Sequence, residues 1–405
     1  MPPRLPASSL PPVNDDQRIE LIDALRGVAL AGVLFVNLGA FSQFYFLDAA
    51  SRAGLASAAV DAWLDPMVDV LIEGKAISIF SMLFGVGFAM QLERTRSGQA
   101  GRRTAIHLRR MAVLLLIGAI HSCFWWGDIL MIYAVLGAGL LAFRRLRDRH
   151  LAMLGLGLAS FWFLLSPLVN ALLPSSLADE AHMHTAMRMA AASEHAAAML
   201  RGNFEYAQWN LMALWYVLPF VFSRFLLGYW AGRKGLLREP ERHLRLLRGI
   251  LAAGAAAGAL FSAAVMAIDA SGATQSLLSG SRIGEWSLRL MRNLGPLGLS
   301  LAYAAGFVLL YLRPRWQRWL RAFAPLGQMA LTHYLLQSML GIALFYGIGF
   351  GVGPDHGYLT RSAAWLSILA AQWYCGRWWL RRFRFGPMEW LWRGLTYGAL
   401  PPLRR

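Results

Sequence analysis

Residues 27–46 read GVALAGVLFVNLGAFSQFYF. Twenty residues pass without a charge, and a helix of about that length rises about 30 Å, the thickness of a bilayer's hydrocarbon core. The stretch is too long for the apolar core of a signal peptide and lacks a small-residue cleavage site; the residues before it are Pro-rich and polar. Working outward, nine more apolar stretches follow near 74–92, 108–125, 128–143, 151–173, 208–231, 249–268, 293–312, 325–349 and 360–379. Basic residues fall between them on alternate sides. Of 39 Lys and Arg, 30 lie in segments 1–26, 93–110, 144–149, 233–248, 313–321 and 377–405, about 7 lie in the intervening loops, and Lys75 and Arg224 remain inside the stretches. Cytoplasmic loops of membrane proteins carry this excess. The expected fold is therefore an all-α polytopic membrane protein of about ten transmembrane helices, with both termini cytoplasmic and short interfacial helices.

Composition agrees. Hydrophobic residues make up 57% and charged residues 15%, against about 25% charged in soluble domains. The net charge of +17 invites a nucleic-acid partner. That partner is excluded because the charge lies in short loops abutting the stretches, where it meets anionic lipid headgroups. The expected organisation is a cytoplasmic segment 1–26, one membrane domain 27–379 and a cytoplasmic interfacial segment 380–405. Cys123 and Cys375 fall near opposite faces and have no metal spacing, so they read as two buried small hydrophobes without a disulfide. Segment 174–207 reads as an outer loop containing an amphipathic helix, with His182, His184 and His195 as solvated loop histidines and no metal site. Segment 56–72 reads as a second surface helix. Its Asp61, Asp65 and Asp69 recur every four residues and continue to Glu73, forming one row. A wet helix face is favoured over an acidic vestibule.

Polar residues at membrane depth are costly, so they face partners or cavities. Asp23 and Arg26, at i and i+3, share a face and pair at the cytoplasmic end of the first stretch. Asn37 follows three turns later. Glu73 and Lys75 open the second stretch. His121 ends the third, and Asp128 follows it after the aromatic turn Phe124-Trp125-Trp126-Gly127. Arg224 has no acidic neighbour in its own helix. His333 and Gln337, at i and i+4, share a face. Glu389 and Arg393 lie in a short amphipathic tail, 387–397, expected to cross the cytoplasmic mouth and reach basic and acidic partners there. Asn37, His121, His333 and Gln337 are expected to wall one internal cavity.

Several of these residues sit in motifs. Asp23-Ala24-Leu25-Arg26-Gly27 with Phe35-Val36-Asn37, Glu73-Gly74-Lys75 leading to Leu83-Phe84-Gly85-Val86-Gly87, and Ile120-His121 followed by Gly127-Asp128-Ile129-Leu130 come first. Gly327-Gln328-Met329-Ala330-Leu331-Thr332-His333-Tyr334-Leu335-Leu336-Gln337 and Gly386-Pro387-Met388-Glu389-Trp390-Leu391-Trp392-Arg393 complete the set. In this order they resemble the YeiB-like family of bacterial inner-membrane proteins across nearly the whole chain, least so over 150–325. The family pattern has Arg where Gln328 stands and Asn where His333 stands.

The first motif also resembles transmembrane acyltransferases of the heparan glucosaminide acetyltransferase type, which carry Arg and then Asn at this spacing. Their catalytic His lies in the region corresponding to Phe41–Ser51, which holds no His here. That resemblance implies transfer of an acyl group from a cytoplasmic acyl-CoA to an acceptor from outside. Arg26 and the adjoining basic loops would bind the donor's phosphates. His121 would act as general base, held by Asp128, and Asn37 would donate to the developing oxyanion.

The His121–Asp128 pair also reads as a plain hydrogen-bonded clip. Two other classes stay open. In a transporter or exporter, Lys75, Glu73, Asp128, Arg224 and His333 would mark a path for a small molecule or lipid-like compound. The other is a membrane protein without turnover. The expected partners are membrane lipids and a small-molecule or lipid-linked substrate, with no covalently bound cofactor and with oligomers allowed.

Overall fold

A computed structural model describes residues 15–93, 100–165, 180–213, 217–354 and 356–405. Among these residues the regular structure is helical, and the β pairing is a single bridge between Phe383 and Arg404. The first half holds α1 (Asp15–Phe41), α2 (Ala49–Ala53), α3 (Ala58–Leu71), α4 (Lys75–Glu93), α5 (Ala100–Ser122), α6 (Leu130–Gly139), α7 (Asp148–Phe161), α8 (Glu180–Ala192) and α9 (Ala196–Ala213). The second half holds α10 (Val217–Arg233), α11 (Leu244–Ala270), α12 (Thr274–Gly280), α13 (Arg282–Tyr311), α14 (Pro314–Leu320), α15 (Ala324–Gln328), α16 (Ala330–Phe345), α17 (Tyr358–Leu380) and α18 (Pro387–Tyr397).

Among the described residues, five helical stretches are long and apolar enough to cross a membrane: Glu20–Phe41, Ala58–Leu92, Thr104–Ser122, Pro240–Ala270 and Arg282–Tyr311. A sixth is reached if Ala196–Met212 and Val217–Arg233, bent by 69°, count as one. Leu130–Phe143 and Ala330–Phe345 are apolar but shorter. The chain is thus a helical membrane protein. Its peripheral helices turn Leu116, Leu260 and Met339 outward, as lipid contact allows.

The opening stretch sits further back than its apolarity indicates. The helix starts at Asp15 and ends at Phe41, because Gln43 adopts a left-handed φ of 62° and a 3-10 turn, Phe44–Phe46, follows. The Gln43 amide donates to the carbonyls of Ala40 and Phe41 at 3.3 Å, filling acceptors that a helix end leaves open.

α1 is central, touching α4, α15, α16 and α17. It crosses α15 at backbone contact: a Cβ on Gly327 would overlap the Asp23 carbonyl, and one on Gly27 the Phe323 carbonyl. α4 meets α10 in the same way through Gly85 and Gly228. Small residues at a crossing let helices approach closely where lipid supplies no hydrophobic drive.

Three expectations for the surface change. Of the acids in the α3 row only Asp61 leaves the wet face; Asp69 and Glu73 are exposed, and the Asp65 side chain is 47% exposed. Asp61 is buried, accepting from Tyr358 N at 2.8 Å and Ser57 Oγ at 2.7 Å, and Asp65 accepts from the Tyr358 hydroxyl at 2.5 Å. Val60, Trp63, Met67 and Leu71 of α3 are exposed as well. Within 174–207, the described residues form α8 and part of α9, while 174–179 lie outside the described residues. His184 rests against the rings of Phe46 and Trp209 rather than in solvent. Cys123 and Cys375 are free and both exposed, not buried.

Candidate functional site

α5 ends at Ser122, and the chain reverses through the aromatic turn into α6. Asn203 of α9 staples this reversal: its amide donates to Ser122 O at 2.9 Å and Cys123 O at 3.2 Å, and its carbonyl accepts from Trp126 N at 2.7 Å. Trp125 is buried against Phe41, ring centroids 4.1 Å apart. The reversal brings His121 Nδ1 to 2.7 Å from Asp128 Oδ1. The second oxygen, Oδ2, accepts from Met131 N at 3.0 Å and caps α6.

The side chains of His121 and Asp128 are 6% and 2% exposed, so this is a desolvated pair. An ionised carboxylate only accepts, which makes Nδ1 the donor and leaves the lone pair on Nε2. Nε2 is buried without a hydrogen-bond partner. Tyr334 of α16 lies beside the imidazole, 5.3 Å between ring centroids, and its hydroxyl accepts from Ile129 N at 3.3 Å. A histidine held by a carboxylate on one nitrogen and bare on the other is the arrangement of a general base.

At the end of the bundle that carries the tail, Arg26 binds Asp23 at 2.8 Å and donates to Gly327 O at 3.3 Å. Arg110 of α5 lies within electrostatic reach of both Arg26 and Arg393. It donates to Gln91 at 3.2 Å and stacks on Trp392 of the tail at 4.4 Å. Asn37 is half-buried, and among the described residues no side-chain hydrogen bond to it is seen. Lys75 is buried, its Nζ 2.5 Å from Asp69 O, with Asp69 and Glu73 as charged neighbours. Arg224 is 1% exposed, and its acceptors are neutral: Ser78 Oγ at 3.3 Å, Ser223 Oγ at 2.9 Å and Phe220 O at 3.3 Å.

His333 and Gln337 share a buried face of α16, but that face turns to α17. Gln337 donates to Gln372 at 3.0 Å, and Gln372 donates to His333 O at 3.0 Å. Both His333 ring nitrogens lack hydrogen-bond partners. Of the four residues expected to wall one cavity, His333 and Gln337 are thus joined to each other through Gln372, and no hydrogen bond or ring contact among the described residues joins them to Asn37 or His121. Tyr334, the residue after His333, meets His121, and adjacent helical residues point about 100° apart. A surface pocket on the described chain is lined by Thr104, Leu141 and Arg144 and holds none of these groups.

The tail helix folds over 387–397 as expected, but its charges find other partners. Glu389 meets no cation. It accepts from Leu331 N at 2.7 Å, Thr332 N at 3.1 Å and Thr332 Oγ1 at 2.6 Å, so it caps α16 from outside the helix. Burial pushes its carboxyl above the ordinary value, outweighing the hydrogen bonds that pull it down. Arg393 lies over the Phe385 ring at 4.6 Å, with Asp23 in electrostatic reach. Sequence reasoning missed Asn203, Tyr334 and Arg361; the last, reckoned above among the loop charges, is the second residue of the last apolar stretch.

A family model described as "Protein of unknown function (DUF418)" matches residues 231–399, a region that includes α16 to α18 and leaves out His121 and Asp128. The chain is 31% identical to the Bacillus subtilis protein printed as "Uncharacterized protein YxaH", with 98% of this chain and 99% of that one covered. It is 29% identical to "Uncharacterized protein YeiB" of Escherichia coli, covering 95% and 98%. An uncharacterised protein of Bacillus acidopullulyticus is 28% identical over 97% of each chain. With its motifs in order and such similarity end to end, the chain belongs to the YeiB-like, DUF418-containing family of proteins.

Proposed function

We propose that the chain is a ten-span inner-membrane acyltransferase with both termini cytoplasmic. Residues 27–379 are its membrane domain and 1–26 and 380–405 its cytoplasmic flanks. The observation that carries the reading is the buried His121–Asp128 pair with Nε2 bare. An acceptor hydroxyl or amine gives its proton to Nε2 and attacks the donor thioester carbonyl. The carbon–sulfur bond breaks, and the thiolate takes the proton back from the imidazolium. Asp128 steadies that imidazolium. Asn37, with its amide uncommitted, donates to the oxyanion. Arg26, Arg110 and Arg393, drawn from three helices, receive the phosphates of a cytoplasmic acyl-CoA. Lys75, Glu73, His333 and Gln337 line the approach of a small or lipid-linked acceptor.

The test uses detergent-purified protein and acetyl-CoA, with water as the surrogate acceptor. Wild type should release free thiol, and His121→Ala should abolish the release while leaving acetyl-CoA binding intact. Asp128→Asn should lower it by about 10²–10⁴-fold, the range of general-base effects. Thiol release that neither change affects would sink the mechanism. A second reading, transport of an anion, is favoured by Arg224, a buried cation whose partners are neutral. It predicts flux into vesicles and no acetyl-CoA binding.

A further inference from the structure

Arg361 lies in the first turn of α17, and nothing above assigns it a role. It is 1% exposed. Its guanidinium carbon lies over three aromatic rings, Tyr358 at 3.7 Å, Phe44 at 4.4 Å and Tyr45 at 5.7 Å from the centroids. Among the described residues Nε, Nη1 and Nη2 make no hydrogen bond of good geometry, the Tyr358 hydroxyl being the polar group beside them. The nearby carboxylates are engaged elsewhere. Asp61 accepts from Tyr358 N and Ser57, and Asp65 from the Tyr358 hydroxyl, with Arg52 at 3.6 Å. Glu73 is within electrostatic reach of Arg361 but makes no ion pair with it.

A cation in the first turn also opposes the helix dipole, which favours anions there. Burying a charge without a partner costs several kcal/mol. The native fold tolerates that cost where a ligand supplies the missing anion, and a planar fork of free N–H donors matches an oxyanion bidentately.

We propose that Arg361, caged by Phe44, Tyr45 and Tyr358, anchors the carboxylate or phosphate group of a ligand entering at the α3–α17 side of the molecule. Glu73 borders the site and limits its affinity by repulsion. The inference does not rest on acyl transfer, because Arg361, Phe44, Tyr45 and Tyr358 take no part in that reaction; the two readings share only Glu73, at the acceptor's approach.

The experiment follows thermal unfolding of the detergent-purified full-length chain while sodium phosphate replaces sodium chloride at constant ionic strength. Wild type should gain about 3 °C or more, the scale expected when a ligand stands at about a hundredfold its Kd. Arg361→Met should remove the gain. Arg361→Lys keeps the charge but loses the fork and should weaken apparent phosphate affinity about tenfold; it decides the matter if Arg361→Met does not fold. Glu73→Gln should tighten it. A second arm supplies phosphatidylglycerol in mixed micelles, with phosphatidylcholine as control. A gain in that arm alone, sensitive to Arg361→Lys, assigns the oxyanion to a lipid headgroup, and a gain with phosphate assigns it to a soluble ligand. No gain in either arm, or equal gains in wild type and Arg361→Lys, overturns the proposal.

Discussion

At the scale of single residues, Arg224 and His121 show two ways of holding a polar group at membrane depth. His121 shares its burial with a carboxylate. Arg224 has hydroxyl and carbonyl acceptors and the Phe220 ring at 3.8 Å. Neutral acceptors do not return the desolvation cost of a full charge. Arg224→Met, of similar length, should therefore leave the protein folded and raise its stability by about 1–4 kcal/mol, as replacement of buried ions by apolar groups often does. Chemical unfolding in detergent measures this. A large destabilisation would mean that Arg224 is balanced by an anion, and loss of function in a stabilised variant would mark it as a substrate contact.

At the scale of elements, the tail helix is a cap more than an amphipathic float. Glu389 stands where the first N–H groups of α16 point, a position that suits a carboxylate through the orphan donors and the dipole. Its folded pKa lies above its unfolded value of about 4.5. Its contribution is then complete below about pH 4.5 and is lost as pH rises through the folded value. Wild-type melting temperature should decline over that window. Glu389→Gln, which keeps an acceptor and cannot ionise, should lack the slope, and Glu389→Ala should lose about 1–3 kcal/mol at all pH values by stranding the donors.

The helix crossings give a sharper contrast within one motif. Gly327 and Gly85 sit in backbone contact, whereas a Cβ on Gly87 would meet open space. Gly327→Val should cost about 3 kcal/mol or more. Gly87→Ala should be neutral or stabilise by up to about 1 kcal/mol through helix propensity. Folded yield in detergent separates the two.

At the scale of the whole molecule, the distribution of arginine orients the bundle. The proposed topology puts α8 outside, with Thr185 exposed on it. In a Cys123→Ser background, Thr185→Cys should react with an impermeant maleimide on intact cells. Cys375 is exposed on α17 but would face lipid and stay unlabelled. Absence of label at 185, with the protein present in the membrane fraction, would invert the topology and with it the side from which the Arg361 site is reached.

Membrane character, the Asp23–Arg26 pair, the sharp reversal after α5 and the tail helix 387–397 were legible in the chain itself. Each depends on residues close in sequence, and hydrocarbon constrains every crossing segment separately, through length and apolarity. His121 and Asp128 belong to this group because only a short turn lies between them. The remaining features needed the tertiary structure. Asn203 staples a turn 77 residues away, Glu389 caps a helix 58 residues back, and Asp61 meets the start of α17 across 297 residues. No periodicity encodes which distant face a polar group will meet. The acidic row of α3 has the spacing of a solvated face, and packing against α17 took Asp61 alone out of it. Packing likewise turned His333 away from His121, since one residue's step around α16 separates the two sides.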